Sequence, residues 1–320
     1  MSFIVYLFAV LKNIIYGSSI FFTGKLTRNV DVLDILALRF LMSFGIMFLL
    51  KITKVINIDI SFKDFSKKSS KSDAITALLL ASFFEPVLYM IFETTGISMT
   101  TNITASVILS LLPISSAIAE YVFLKEKITF QKGVFLTIGM VGAIFIAVNT
   151  QTKNGTDSLT GIMFVVLAVI VGSLFAVFSR KSSVVFNAME ITYFSCLMGA
   201  VIFNFANIVR HLLNGSMGTY FTPYMNVDNM VGFVFLAIIS TIVATSMNNF
   251  ALARMRVTTM SAFGGLGTLT AIVEGVLFNN EKLYMYHVVG ISLILIRIIG
   301  MICLTSGENK KYTADFSVHK

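Results

Sequence analysis

The sequence predicts an all-α polytopic membrane protein with ten transmembrane helices arranged as two inverted five-helix repeats. Three observations carry that reading. The 320 residues are 56% hydrophobic and only 12% charged, with a mean hydropathy of +0.87, whereas soluble domains hold about 25% charged residues. Apolar stretches of about 20 residues, the length that crosses a bilayer, recur at 3–24, 32–50, 74–94, 102–123, 129–149, 159–179, 190–210, 229–251, 258–278 and 284–304. The features of one stretch also return later. Between Thr100 and Val148, two apolar segments flank the charged turn Lys125-Glu126-Lys127-Ile128. Between Thr258 and Cys303 the order repeats: Thr258-Thr259 matches Thr100-Thr101, Ala271-Ile272-Val273-Glu274 matches Ala117-Ile118-Ala119-Glu120, and Glu281-Lys282 matches Glu126-Lys127.

The first span lacks a basic leader and a small-residue cleavage site and carries Lys12 in its middle, so it reads as a helix and not as a cleaved signal. On it Lys12, Tyr16 and Ser19 share a face. The second span places Arg39 in its outer third. In the third, Glu85, Tyr89 and Glu93 follow at four-residue spacing, which sets both carboxylates on one helix face. Pro86 removes a backbone hydrogen bond beside Glu85, predicting a kink and a carbonyl left facing a cavity. Counting about 1.5 Å per residue from the cytoplasmic ends puts Lys12 and Glu85 at similar depth, within reach of a pair, and Arg39 within reach of Glu93.

The fourth, eighth and ninth spans carry stripes of small and polar residues: Ser106, Ser110, Pro113 and Glu120; Thr241, Thr245 and Asn248; Ser261, Gly264, Thr268 and Ala271. Small residues at helical spacing predict close packing. Gly264-Gly265-Leu266-Gly267 is read that way, since no Lys-Ser/Thr follows it as a phosphate loop requires. The amides of Asn248 and Asn249 need partners in hydrocarbon. Thr192, Asn204 and Asn207 dilute the seventh span, and the polar tail, residues 306–320, is expected to be a disordered cytoplasmic extension.

The net charge of +8 would suggest nucleic acid in a soluble protein, but here it is topological. With the N-terminus inside, sixteen of the 24 Lys and Arg fall in inner loops and five in outer ones, leaving Lys12, Arg39 and Arg297 within the spans. The positive-inside rule therefore puts both termini in the cytoplasm of a cell-membrane protein. The loop with Lys67, Lys68 and Lys71 is the most basic and reads as solvated, with anionic lipid as a neighbour. Asn102, Asn154 and Asn214 open glycosylation-type triplets on the outer side, where Asn-Gly is also ordinary turn chemistry. A repeat of five helices makes its second copy enter from the opposite side, and inverted repeats recur in transporters whose substrate site lies between the halves.

Several short motifs support the same expectation. They are Tyr16-Gly17-Ser18 followed by Lys25, Leu38-Arg39-Phe40, Leu112-Pro113 thirteen residues before Glu126, Ser179-Arg180-Lys181, Asn249-Phe250-Ala251-Leu252 and Glu281-Lys282. In order and spacing they resemble the drug/metabolite transporter superfamily, in its EamA-like ten-helix branch, over nearly the whole chain. The resemblance implies repeats at 1–150 and 159–305 and a secondary active transporter, an exporter of small polar or amphipathic metabolites such as amino acids or drugs. Two departures stand out. Thr268 sits where the second repeat's proline would fall, and Arg297 follows Gly290 by seven residues, where the family keeps a small side chain.

Seven ionisable residues lie within the spans: Lys12, Arg39, Glu85, Glu93, Glu120, Glu274 and Arg297. Each costs about 2.5–3.5 kcal/mol at a helix centre, so together they must pair, snorkel or face water. Glu120 and Glu274 near helix ends, and Arg297 on a last helix that the resemblance implies is peripheral, read as structural charges. Lys12, Tyr16, Arg39, Glu85, Tyr89, Glu93 and Asn248 are the candidates for substrate binding or coupling to a proton or counter-substrate. A purely structural pairing of Glu85 and Glu93 with basic residues competes with that reading. His211, His287 and His319 are scattered without metal spacing, Cys196 and Cys303 form no motif, and no cofactor, nucleic-acid partner or catalytic residue is expected. A membrane-embedded enzyme acting on a lipid-linked substrate is the alternative, and it would need a paired acid and base or a metal motif.

Overall fold

The computed structural model describes residues 3–56, 58, 69–126, 129–154, 158–279 and 284–318. The turns Lys127-Ile128 and Glu281-Lys282 and the basic loop through Lys67 and Lys68 lie outside them. Among the described residues the chain is helical with no strand, and it is a multi-pass membrane protein of ten helices: α1 (Phe3–Leu26), α2 (Val32–Ile52), α3 (Asp73–Ser98), α4 (Asn102–Leu124), α5 (Phe130–Asn154), α6 (Leu159–Ser182), α7 (Ala188–Leu213), α8 (Val227–Leu252), α9 (Val257–Phe278) and α10 (Met285–Val318). Eight are long and apolar enough to cross a membrane, and α5 and α10 contribute the apolar stretches Phe130–Ile146 and Met285–Met301. Side chains such as Phe205, Leu213 and Met163 stand exposed on the outside, as hydrocarbon-facing residues do.

The disordered tail is corrected. α10 continues helically to Val318, because Gly307 alone does not stop a helix and no proline follows it. The connection between α7 and α8, with short helices at Met217–Thr219 and Thr222–Met225, was also not foreseen.

Packing follows the repeat. α1 lies against α9 and α8, and its counterpart α6 lies against α4 and α3, while α2 meets α7 and α5 meets α10. The last pair closes on two glycines. A Cβ on Gly142 would stand 2.9 Å from the Gly290 carbonyl oxygen and one on Gly290 would stand 2.8 Å from that of Gly142, so the two backbones touch reciprocally. A Cβ on Gly267 of α9 would likewise sit 2.8 Å from the carbonyl oxygen of Asn13 on α1.

Equivalent helices are irregular at equivalent places. α3 passes through a π-helical stretch at Phe83–Leu88, where Glu85 is extended at φ −135°, ψ 119°. This is the kink expected at Pro86, since the residue before proline is pushed out of the α region. Its counterpart α8 has a π-helical stretch at Phe235–Ala244, which nothing in the sequence announced. α4 breaks at Ser110-Leu111, ahead of Pro113 in the first turn of its second half. α9 breaks at Phe263, ahead of Gly264, so the glycine run serves a break as well as packing. Backbone carbonyls near the breaks find side-chain donors, as irregular backbone at membrane depth requires: Thr241 Oγ1 donates to Leu236 O at 2.8 Å, Thr268 Oγ1 to Ser106 O at 3.1 Å and Arg297 to Ser110 O at 2.5 Å.

Candidate functional site

The irregular middles of α3, α4, α8 and α9 surround a cavity of about 120 Å³, completed by α1, α2 and α6. That is room for several water molecules or one small solute. Apolar clusters flank it on both sides. On the side of the N-terminus, Val5, Ala119, Val177, Leu252 and Met260 pack together. On the far side Ile20, Ile97, Ile108, Val165 and Ala271 do the same.

Lys12, Tyr16, Arg39, Glu85, Tyr89, Glu93 and Asn248 all line this one cavity. Two cations and two carboxylates thus share one cavity. Their hydrogen bonds divide them. Arg39 donates through Nε to Thr241 Oγ1 at 2.8 Å and through a terminal nitrogen to Ser240 Oγ at 3.3 Å. The Tyr89 hydroxyl donates to Glu93 Oε1 at 2.7 Å, and the Tyr16 hydroxyl is 3.2 Å from Thr245 Oγ1. These four are held in the wall. Lys12 has only the Tyr16 ring beneath it, 5.2 Å from Nζ to the centroid, a cation–π contact. Lys12, Glu85 and Asn248 make no side-chain hydrogen bond and no ion pair with the described protein. The direct pairs envisaged, Lys12 with Glu85 and Arg39 with Glu93, do not form among the described residues. Hydroxyls on the π-helical stretch of α8 take the Arg39 donors, and Glu85 sits on extended backbone.

The sequence reading missed Asn13, Ser116, Ser240 and Met260, which also line the cavity. Asn13 was legible as an amide beside Lys12 in an apolar span. Ser240 was not, because the π-helical stretch rotates it into place.

The structural charges lie elsewhere. Glu120 accepts from Arg180 at 2.7 Å, from Val257 N at 2.9 Å and Thr258 N at 3.1 Å, and from the Thr258 hydroxyl. Arg180 also meets Glu126 at 2.9 Å, and Glu126 meets Arg256 at 3.1 Å. Among the described residues Glu274 accepts only from Ser18, at 2.7 Å. Arg297 is fully buried and passes over Gly139, where a Cβ would overlap its side chain. From there it reaches the carbonyl of Ser110 at the end of the first half of α4, where the negative end of the helix dipole favours a cation. Arg210 bridges Asp31 and Asp34, tying α7 to the start of α2.

A charged cavity between two apolar clusters, midway along two inverted helical repeats, has the arrangement of a membrane transporter. The chain belongs to the EamA-like transporter family, which matches it twice, at residues 3–148 and 159–303. It is 28% identical over 295 residues to the uncharacterized transporter YcxC of Bacillus subtilis, covering 92% of this chain and 91% of that one. It is 23% identical to the uncharacterized transporter YetK of the same organism, covering 88% and 81%. An uncharacterized transporter of Archaeoglobus fulgidus is 24% identical over 66% of this chain and 71% of its own. A crystal structure with 13% identity superposes with a TM-score of 0.68 over 94% of this chain and 96% of the other, which shows the shared fold.

Proposed function

We propose that the protein is a secondary active transporter, working as an exporter of small polar or amphipathic metabolites across the cell membrane by alternating access, with both termini in the cytoplasm. The observation that carries this is the cavity between the repeats, in which Lys12, Glu85 and Asn248 make no hydrogen bond or ion pair with the described residues and stand available to a solute. Intramembrane charges are costly, and leaving two without direct partners is explained by a ligand or proton that takes their place in part of the cycle. Glu85 is suited to a substrate ammonium or a proton, Lys12 to an anionic group, and Asn248 to either a donor or an acceptor. Arg39, Tyr16, Tyr89 and Glu93 hold the wall and set the field. Amino acids and cationic amphiphiles fit this set, and a proton or a counter-substrate supplies the coupling.

Counterflow of labelled amino acids and amphiphilic cations in proteoliposomes tests the proposal. Glu85→Gln is expected to slow counterflow of the accepted substrate at least about tenfold, the worth of one charged contact, while keeping the melting temperature in detergent. Lys12→Met with Glu85→Gln separates roles: if the two residues only neutralise each other across the cavity, the double variant regains both stability and transport. Restored transport in the double variant would eliminate a direct role for either residue.

A further inference from the structure

The two repeats supply the same three groups near opposite ends of the cavity. Each has a glutamate late in its broken helix, Glu120 on α4 and Glu274 on α9. Each has a Gly-Ser pair on the helix that opens the repeat, Gly172-Ser173 on α6 and Gly17-Ser18 on α1. Eight residues beyond each glycine stands a basic residue, Arg180 and Lys25. Inversion brings Glu120 beside Arg180 on the side of the N-terminus and Glu274 beside α1 on the far side.

Equivalent groups nevertheless sit in different places. Glu120 has moved out to the basic residue and the start of α9, bonding Arg180, Val257 N and Thr258. Its serine, Ser173, bonds Ser115 instead, at 2.8 Å. Glu274 has stayed at its serine, Ser18, at 2.7 Å. Its second carboxylate oxygen is buried without a partner, and Lys25 is exposed with no ion pair among the described residues. One motif is thus recorded in two arrangements, one in each repeat.

We infer that Glu274 and Lys25 form the far-side latch of the transport cycle, with Glu120 and Arg180 as the near-side latch that is engaged in this structure. This rests on the alternating-access reading above. When the near side opens, Glu120 leaves the start of α9; when the far side closes, Glu274 exchanges Ser18 for Lys25. A buried carboxylate oxygen with no donor is unfavourable, so Glu274 retains a drive toward the second arrangement. The engaged near-side latch opposes that drive.

The test needs no known substrate. In a background with Cys196→Ser and Cys303→Ser, Ser116→Cys reports the cavity to an impermeant thiol reagent added to either side of sealed vesicles. The pair Lys25→Cys with Glu274→Cys reports the far-side latch by oxidative cross-linking. We expect Ser116→Cys to be labelled from both sides. We expect the pair to cross-link, about tenfold faster once Glu120→Gln weakens the near-side latch by one charge-assisted hydrogen bond. Glu274→Gln alone should lower labelling of Ser116→Cys from the N-terminal side by a similar factor and leave far-side labelling in place. A role in folding alone would lower the melting temperature without changing that ratio. Labelling from both sides without cross-linking in either background overturns the latch while leaving alternating access standing. Labelling from one side only, in every background, overturns both.

Discussion

Glu120 and Glu274 occupy matching positions in the two repeats, yet one is tied to two other helices through four donors and the other to a single hydroxyl. Glu120 joins the end of α4 to α6 through Arg180 and to the start of α9 through two backbone N–H groups and the Thr258 hydroxyl. Among the described residues Glu274 joins α9 to α1 through Ser18 alone. The difference teaches that a charge within the membrane can be structural in one repeat and only provisionally placed in the other. Its sequence neighbourhood does not decide which. The same contrast appears between two adjacent amides: Asn249 accepts from Ser179 at 2.9 Å and donates to Thr192 at 3.1 Å, binding α6, α7 and α8, while Asn248 faces the cavity without a hydrogen-bond partner among the described residues.

The largest effect is expected at the most connected carboxylate. Glu120→Ala strips the start of α9 of its acceptor and leaves Arg180 to Glu126, a loss on the order of 3 kcal/mol. Glu274→Ala removes one hydrogen bond and is expected to cost about 1 kcal/mol. Unfolding of the two variants in a denaturing detergent series measures the difference, and equal losses would break the comparison. Next comes Asn249→Ala, which orphans the Ser179 hydroxyl in a fully buried place and takes one donor from Thr192, whose hydroxyl keeps Ala188 O and Ser246. It is expected to cost about 2 kcal/mol and to lower the melting temperature in detergent, and a variant as stable as the parent would show that the three-helix clamp is not needed.

Much of this was open to sequence reasoning because hydrophobic length, basic-residue asymmetry and an internal repeat are all properties of the chain read in one dimension. The ten helices and the inversion follow from them, and the kink follows from Pro86 itself. The spacing of Glu85, Tyr89 and Glu93 gave a shared face, and depth counting brought Lys12 to their level; the structure places them around one cavity. Partners were harder to see. Arg39 was directed toward Glu93 by charge, but its donors go to Thr241 and Ser240, because a π-helical stretch of α8 rotates these hydroxyls toward α2, and no proline or glycine in that stretch signals it. Arg297 was read as a peripheral charge since the last helix lies at the edge. Its reach across Gly139 to a broken α4 depends on three helices at once and has no signature in any one of them.

The smallest expected change in stability is at Asn248, and it is the most informative for the site. The side chain is mostly buried, so an ordinary amide there would be bonded and its removal would cost as much as at Asn249. Facing a wetted cavity, it exchanges hydrogen bonds with water or a solute, and truncation removes no protein contact. Asn248→Ala is therefore expected to change stability by less than about 0.5 kcal/mol while slowing counterflow of the accepted substrate. Asn248→Asp adds a third carboxylate to a cavity that now balances two cations with two anions, and is expected to shift preference toward cationic substrates. Measuring melting temperature and counterflow for both variants beside Asn249→Ala separates the two amides. If Asn248→Ala unfolds as readily as Asn249→Ala, the amide belongs to the scaffold, and the division of the cavity lining into held and available groups fails with it.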